Sequence, residues 1–157
     1  MTEYKPKLMV VCNPQNPIGI SWEKEVLQQV ASMARRHGVL LFCDEVFSDL
    51  TLFGHRHTPM ATVSDDAAAI TITCGSPGKS FNIAGFKSTW LVIVNPEMRK
   101  DFFQWVTVNE LDTSNITALL ATEAGYRYGE EWLEECRNTL RRTSSLLNST
   151  VANISRV

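Results

Sequence analysis

The chain has 157 residues, of which 44% are apolar and 20% charged, the amount expected of one ordinary domain rather than a disordered chain. Fifteen Lys and Arg against 17 Asp and Glu leave a formal charge of −2. With so balanced a charge and no dense basic block, neither nucleic acid nor an anionic membrane surface is expected as a partner.

Leu8-Met9-Val10-Val11-Cys12 is a continuous apolar run, the pattern of a strand covered on both faces. It stops at Asn13-Pro14-Gln15-Asn16-Pro17-Ile18-Gly19, where two prolines and a glycine forbid regular structure. Ser21 is placed to cap a helix, with Glu23 and Glu25 suited to its positive end. Val26, Leu27, Val30, Met33 and Ala34 follow at helical spacing, and Arg35-Arg36-His37-Gly38 supplies the stop. A second strand, Val39 to Cys43, runs into Asp44-Glu45, so strand, helix and strand form a βαβ unit with parallel neighbours.

The stretch from Ser48 to Asp66 reads as irregular. Ala69 to Thr73 predicts a third strand, stopped by Gly75-Ser76-Pro77-Gly78, and Thr89 to Val94 a fourth, ended by Asn95-Pro96. Beyond Pro96 the apolar spacing is helical, first through Met98, Phe102, Phe103, Trp105 and Val106. Ser114 can cap a further helix reaching Tyr128, and a last helical pattern from Trp132 runs to the end of the chain without a stop signal. The fold class expected is α/β, a mostly parallel sheet with flanking helices followed by a helical segment. The apolar runs are strand-sized, far short of a membrane span, and no basic-then-apolar signal segment opens the chain, which predicts a cytosolic setting.

In open α/β sheets, ligands bind beyond the carboxyl ends of the strands at a switch in strand order. Here the first strand end carries Asn13 and Asn16, the second Asp44, and the third Ser76 and Lys79. Taken singly these are a turn, a helix cap and a solvated lysine. Together, an amine, a carboxylate and an amide can build a site for an aldehyde cofactor with a basic ring nitrogen. The four cysteines have no metal-ligand spacing and read as small buried hydrophobes, with a catalytic thiol as the alternative. No metal site is expected.

The same residues carry a family resemblance. Cys12-Asn13-Pro14-Gln15-Asn16-Pro17-Ile18-Gly19, Cys43-Asp44-Glu45-Val46-Phe47-Ser48-Asp49-Leu50 and Gly54-His55-Arg56-His57-Thr58-Pro59 resemble successive loops of fold-type I pyridoxal-phosphate (PLP) enzymes. Within these, the similarity is to the cystathionine β-lyase group of C–S lyases in the class I/II aminotransferase superfamily. Thr73-Cys74-Gly75-Ser76-Pro77-Gly78-Lys79-Ser80-Phe81-Asn82-Ile83-Ala84-Gly85 is similar to the lysine segment of that group, and the run from Ala121 to Leu133 to its helical region.

The resemblance implies the PLP-binding large domain and assigns the site residues. Lys79 is the Schiff-base lysine, Asp44 the partner of the pyridinium nitrogen, Asn16 a donor to the ring's phenolic oxygen, and Ser76 a neighbour of the phosphate. It implies a small amino-acid substrate, a homodimer, and β-elimination to pyruvate, ammonia and a thiol. Transamination is the outcome where no leaving group is present. Two positions depart from the pattern. Phe47 stands where Tyr or His donates to the phenolic oxygen, which predicts a weakened donor set and a Schiff base that holds its proton more tightly. Lys87, eight residues after Lys79, stands where many members have a phosphate-anchoring arginine, and offers a point charge rather than a bidentate clamp.

Family members are much longer, so residues 1–157 are expected to form a partial large domain without the N-terminal segment and the C-terminal small domain. Such a piece is expected to be inactive alone and to leave apolar surface exposed around Phe102, Phe103 and Trp105. Three readings compete: a C–S lyase, an aminotransferase, and a non-catalytic remnant acting at most as an interaction module. A generic nucleotide-binding domain lacks any Gly-x-Gly-x-x-Gly or phosphate-loop motif.

Overall fold

A computed structural model describes residues 4–154. Four strands, β1 (Leu8–Cys12), β2 (Leu40–Asp44), β3 (Thr71–Gly75) and β4 (Trp90–Ile93), form one sheet in the order β1-β2-β3-β4. The first three run parallel, with Cys12 beside Asp44 and Asp44 beside Cys74, while β4 pairs antiparallel with β3. The α/β class and the mostly parallel sheet match the sequence expectation. The expected switch in strand order is not found among the described strands: what reverses is the direction of β4.

Helix α1 (Lys24–Arg36) and helix α2 (Asp65–Ile70) cover one face of the sheet. Between them and the strands lies a core of Leu27, Ala31, Ala34, Val39, Leu41, Cys43, Met60, Val63, Ala67 and Ile70. The other face of β1 is bare among the described residues, with Leu8 50% and Val10 65% exposed. Only one side of the run read as doubly covered is therefore buried here. Further on come the single turn α3 (Pro77–Ser80), α4 (Pro96–Val108), α5 (Ile116–Tyr128) and α6 (Glu130–Ile154). Helix α4 buries none of its residues, and Trp105 is 59% exposed, as the sequence predicts for that stretch.

Several boundaries move for local reasons. Helix α1 is capped by Glu23 rather than Ser21. The backbone N–H of Trp22 donates to the Asn13 side chain and its indole N–H to the Cys12 carbonyl, which holds this segment extended against the end of β1. Ala69 and Ile70 belong to α2 rather than to a strand. Ser64 accepts from the Ala67 N–H and starts the helix, and three consecutive alanines favour its continuation. Asn115, not Ser114, caps α5 by accepting from the Thr117 and Ala118 N–H groups. The last three residues of the final helical pattern lie outside the described residues.

Leu41 is fully buried at the centre of the core. Leu41→Ala is expected to destabilise the fold by about 2–5 kcal/mol, the range for truncating a buried leucine. Denaturant unfolding checks this, and a loss below about 1 kcal/mol contradicts the assigned core.

Candidate active site

Parallel pairing in register brings the carboxyl ends of β1, β2 and β3 to one edge, so the loops leaving them share a rim. Asp44 closes β2 between Cys12 and Cys74. Its Oδ1 accepts from the Val46 N–H at 3.2 Å, and no described residue donates to Oδ2. A half-buried carboxylate at a strand end with an oxygen to spare suits a cationic ring N–H.

The loop after β1 folds back on itself. Gln15 and Ile20 pair as an isolated bridge, Gly19 takes a positive φ of 70°, and the Gln15 side chain accepts from the Ile18 N–H. Both Asn–Pro peptides of the loop are cis. Asn16 lies on the exposed turn with its carboxamide free of hydrogen bonds to the described residues. Asn13, by contrast, is buried: its oxygen accepts from the Trp22 N–H, and its amide donates to the Thr58 carbonyl at 3.2 Å and to His57 Nδ1 at 3.5 Å. The opposite nitrogen of His57 lies 2.7 Å from the Glu45 carboxylate, whose other oxygen accepts from the Met60 N–H. An ionised carboxylate only accepts, so Nε2–H is the donor and Nδ1 is left to receive Asn13. Asn13, Glu45 and His57 thus form a buried clamp joining the Asn16 loop, the residue after Asp44 and the loop through Pro59.

After β3, Ser76 caps α3. Its hydroxyl accepts from the Gly78 N–H and donates to the Ser88 carbonyl at 2.6 Å. Its one proton is therefore committed, and in this arrangement Ser76 can only accept from a further group. Lys79, on α3, is exposed, with Nζ 5.8 Å from the centroid of the Phe47 ring. That separation permits a cation–π contact, so Phe47 supports the amine instead of donating a hydrogen bond. Lys87 is exposed in the left-handed region, on the segment that Ser76 tethers through Ser88, and no described contact links it to Lys79, Asp44 or Asn16.

Two small residues shape the surroundings. A Cβ at Gly75 would lie 2.0 Å from the Trp90 ring, and one at Gly129 would lie 2.7 Å from the Phe81 ring. Glycine at these positions lets the two aromatic rings close over the end of β3 and onto α5 and α6. Beside the rim an open cleft of about 810 Å³ is lined by Asn16, Pro17, Trp22, Phe47, Phe53 and His55. Asn16 and Phe47 belong to both cleft and rim; Asp44, Ser76, Lys79 and Lys87 lie outside the cleft wall.

A cofactor with a carbonyl, a basic ring nitrogen and a phenolic oxygen fits what stands here: an accessible amine, a carboxylate oxygen without a donor, and an unpaired carboxamide. Cys43 and Cys74 do not suit the role of a thiol nucleophile. Burial, reinforced by the Glu45 carboxylate, pushes the Cys43 thiol up to about 12, and burial followed by Asp44 also raises Cys74. Among the described residues no His, Cys, Asp and Glu cluster could hold a metal ion, and no helix is long and apolar enough to cross a membrane.

The sequence reading did not single out Glu45, His57, Asp49, Ser80 or Arg137. Glu45 had a legible signal, a second acid next to Asp44 at the end of an apolar strand. Arg137 had none, since its partner lies 88 residues earlier.

The profile of the family described as aminotransferase class I and II matches residues 2–155, and the chain belongs to that family. It is 43% identical over 128 residues to the cystathionine beta-lyase PatB of Bacillus subtilis, across 82% of this chain and 33% of PatB. It is 32% identical over 136 residues to the protein MalY of Escherichia coli, across 86% of this chain and 34% of MalY. The PLP-bound C–S lyase from Staphylococcus hominis superposes with a TM-score of 0.82 at 32% identity, over 91% of this chain and 35% of that one. The chain spans about a third of the length of the curated relatives it matches.

The raised Cys43 pKa has a consequence for stability. Above pH 9, the ordinary value, the unfolded chain releases this proton while the folded chain keeps it until about pH 12. Stability should therefore fall with rising pH in that window, by at most about 1.4 kcal/mol per unit from this group. Unfolding of Cys43→Ala should show a shallower decline between pH 9 and 12 than the parent chain; identical slopes contradict the assignment.

Proposed function

We propose that the chain is the cofactor-binding part of a PLP-dependent C–S β-lyase, which cleaves sulfur amino acids of the cystathionine type to pyruvate, ammonia and a thiol. The observation that supports this reading is that β1, β2 and β3 end at one edge, so that the segments bearing Asn16, Asp44 and Lys79 leave the sheet on the same side. The likeness to PatB and to the Staphylococcus hominis lyase supports the choice of elimination. Membership of the aminotransferase class I and II family supports transamination as the second reading.

Bound PLP supplies an electrophilic carbonyl for amines and a ring that takes up the electron pair left at the substrate Cα. The chain's own residues have distinct tasks. Lys79 holds the cofactor through its amine and, once displaced by the substrate amine, takes the proton from Cα at Nζ. Asp44, whose Oδ2 accepts from no described residue, would keep a proton on the ring nitrogen. Asn16 donates to the phenolic oxygen, which Phe47 cannot do, so that oxygen has one donor fewer than with Tyr or His at this position. Ser76 would contribute a helix cap near the phosphate and Lys87 a point positive charge. In the lyase reading the proton would leave Cα, a Cα=Cβ bond would form as the Cβ–S bond breaks, the sulfur would depart as a thiolate that is then protonated, and water would convert the released 2-aminoacrylate to pyruvate and ammonia.

The proposal extends to a homodimer whose second subunit completes the site, a small amino-acid substrate and a cytosolic setting. The four free cysteines accord with a reducing compartment. In a full-length enzyme that carries this segment, pyruvate and thiol formed without an amino acceptor favour the lyase; dependence on an acceptor favours the transferase.

The first test is cofactor trapping. The chain is incubated with PLP, reduced with borohydride, and the modified lysine found by peptide mass. Selective modification of Lys79, lost in Lys79→Ala, is expected. Scattered modification of all lysines contradicts the site.

A further inference from the structure

On the functional reading above, the amine of Lys79 must be held in a fixed place relative to Asp44 and Asn16. Yet Lys79 is exposed, and α3 is only four residues long, too short to hold its own shape. What is held is the pair of residues that follow it. Ser80 is fully buried, and its hydroxyl donates to Asp49 Oδ2 at 2.6 Å, the length of a charge-assisted bond. Phe81 packs edge-on against Tyr126 at 5.3 Å and tilted against Trp132 at 6.5 Å, above Gly125 and Gly129.

Asp49 is bonded on its other side too. Its carbonyl accepts from Arg137 Nε of α6 at 2.8 Å, and Arg137 is itself braced by Glu134 at 3.1 Å. The negative charge of Asp49 also reaches Tyr126. Burial chiefly, with Asp49 adding, holds that phenol above its usual range against the lowering bond from Trp90. The short turn of Ser48–Leu50 that carries Asp49 begins directly after Phe47, the ring on which Lys79 Nζ rests. Phe47 and Asp49, two residues apart, thus meet the Lys79 amine and the Ser80 hydroxyl respectively.

We propose that Asp49 is a positioning residue for Lys79: its carboxylate fixes Ser80 and its carbonyl anchors the same turn to α6 through Arg137. The C-terminal helix, remote in sequence, is thereby coupled to the placement of the reactive amine. This inference rests on the assignment of Lys79 as the cofactor lysine.

The test compares PLP–borohydride labelling in the parent chain, Asp49→Ala, Ser80→Ala, the double variant and Asp49→Asn. Lys100 in the same sample serves as internal reference, and melting is recorded in parallel. Each alanine variant is expected to lower the rate at Lys79 relative to Lys100 about tenfold, the order for losing one hydrogen bond to a charged group. The double variant should be no slower than either single one, because the two residues act through one bond. Asp49→Asn keeps an acceptor oxygen of the same shape and should stay within about threefold of the parent. Four results overturn the proposal: parent-like rates in both alanine variants; losses that multiply in the double variant; Asp49→Asn as slow as Asp49→Ala; or Lys79 and Lys100 changing together as the melt is lost. If the parent chain itself shows no preference for Lys79, the functional reading fails and takes this inference with it. Parent selectivity with unaffected variants sinks the positioning role alone.

Discussion

Parallel pairing of β1, β2 and β3 is the constraint on which the rest depends. Because Cys12, Asp44 and Cys74 stand side by side in register, three loops separated by tens of residues must leave the sheet at the same edge. An asparagine loop, an acidic strand end and a lysine turn then share a rim without any long-range side-chain contact being needed to gather them. Chemistry at this edge is a consequence of strand direction. A one-residue slip of β2 would carry Asp44 to the other face and take its carboxylate out of the rim.

Beneath that rim, buried polar groups do the fine placement. Asn13, Glu45 and His57 satisfy one another and three backbone groups, so the rim loops are fastened where apolar packing alone would leave them loose. Burying such groups is costly unless every partner is present. Asp49 plays the same part on the lysine side, where its carboxylate and its carbonyl hold Ser80 and Arg137. The exposed residues Asn16 and Lys79 are thus presented by buried neighbours. The bare outer face of β1 and the exposed Trp105 show that the described residues leave much apolar surface uncovered.

Strand runs with strong apolar continuity were legible in the sequence, as were the turn-rich stops that follow them and the acid, amide and amine at their ends. The fourth strand, Trp90–Ile93, falls within the run Thr89 to Val94 read as a strand, but its antiparallel direction is not encoded in any local pattern. Ala69 and Ile70 were read as the start of the third strand because short apolar runs fit strand and helix alike, and the Ser64 cap decides between them. The clamp and the Asp49 tether were out of reach for a different reason. Their partners lie 9 to 88 residues apart, and no single-residue property announces such a pairing. Ser76 was read as a phosphate neighbour, yet its only proton is directed at Ser88, a detail of rotamer that sequence does not carry.

The central proposal is that Asp44, at the end of β2, pairs with the ring nitrogen of PLP. The most direct measurement is the NMR shift of PLP labelled at the ring nitrogen, bound to the chain and to Asp44→Ala. The account predicts a protonated ring nitrogen in the parent chain across neutral pH and a deprotonated one in the variant. A ring nitrogen in the same protonation state in both, or one that titrates in the parent as free PLP does, would contradict it.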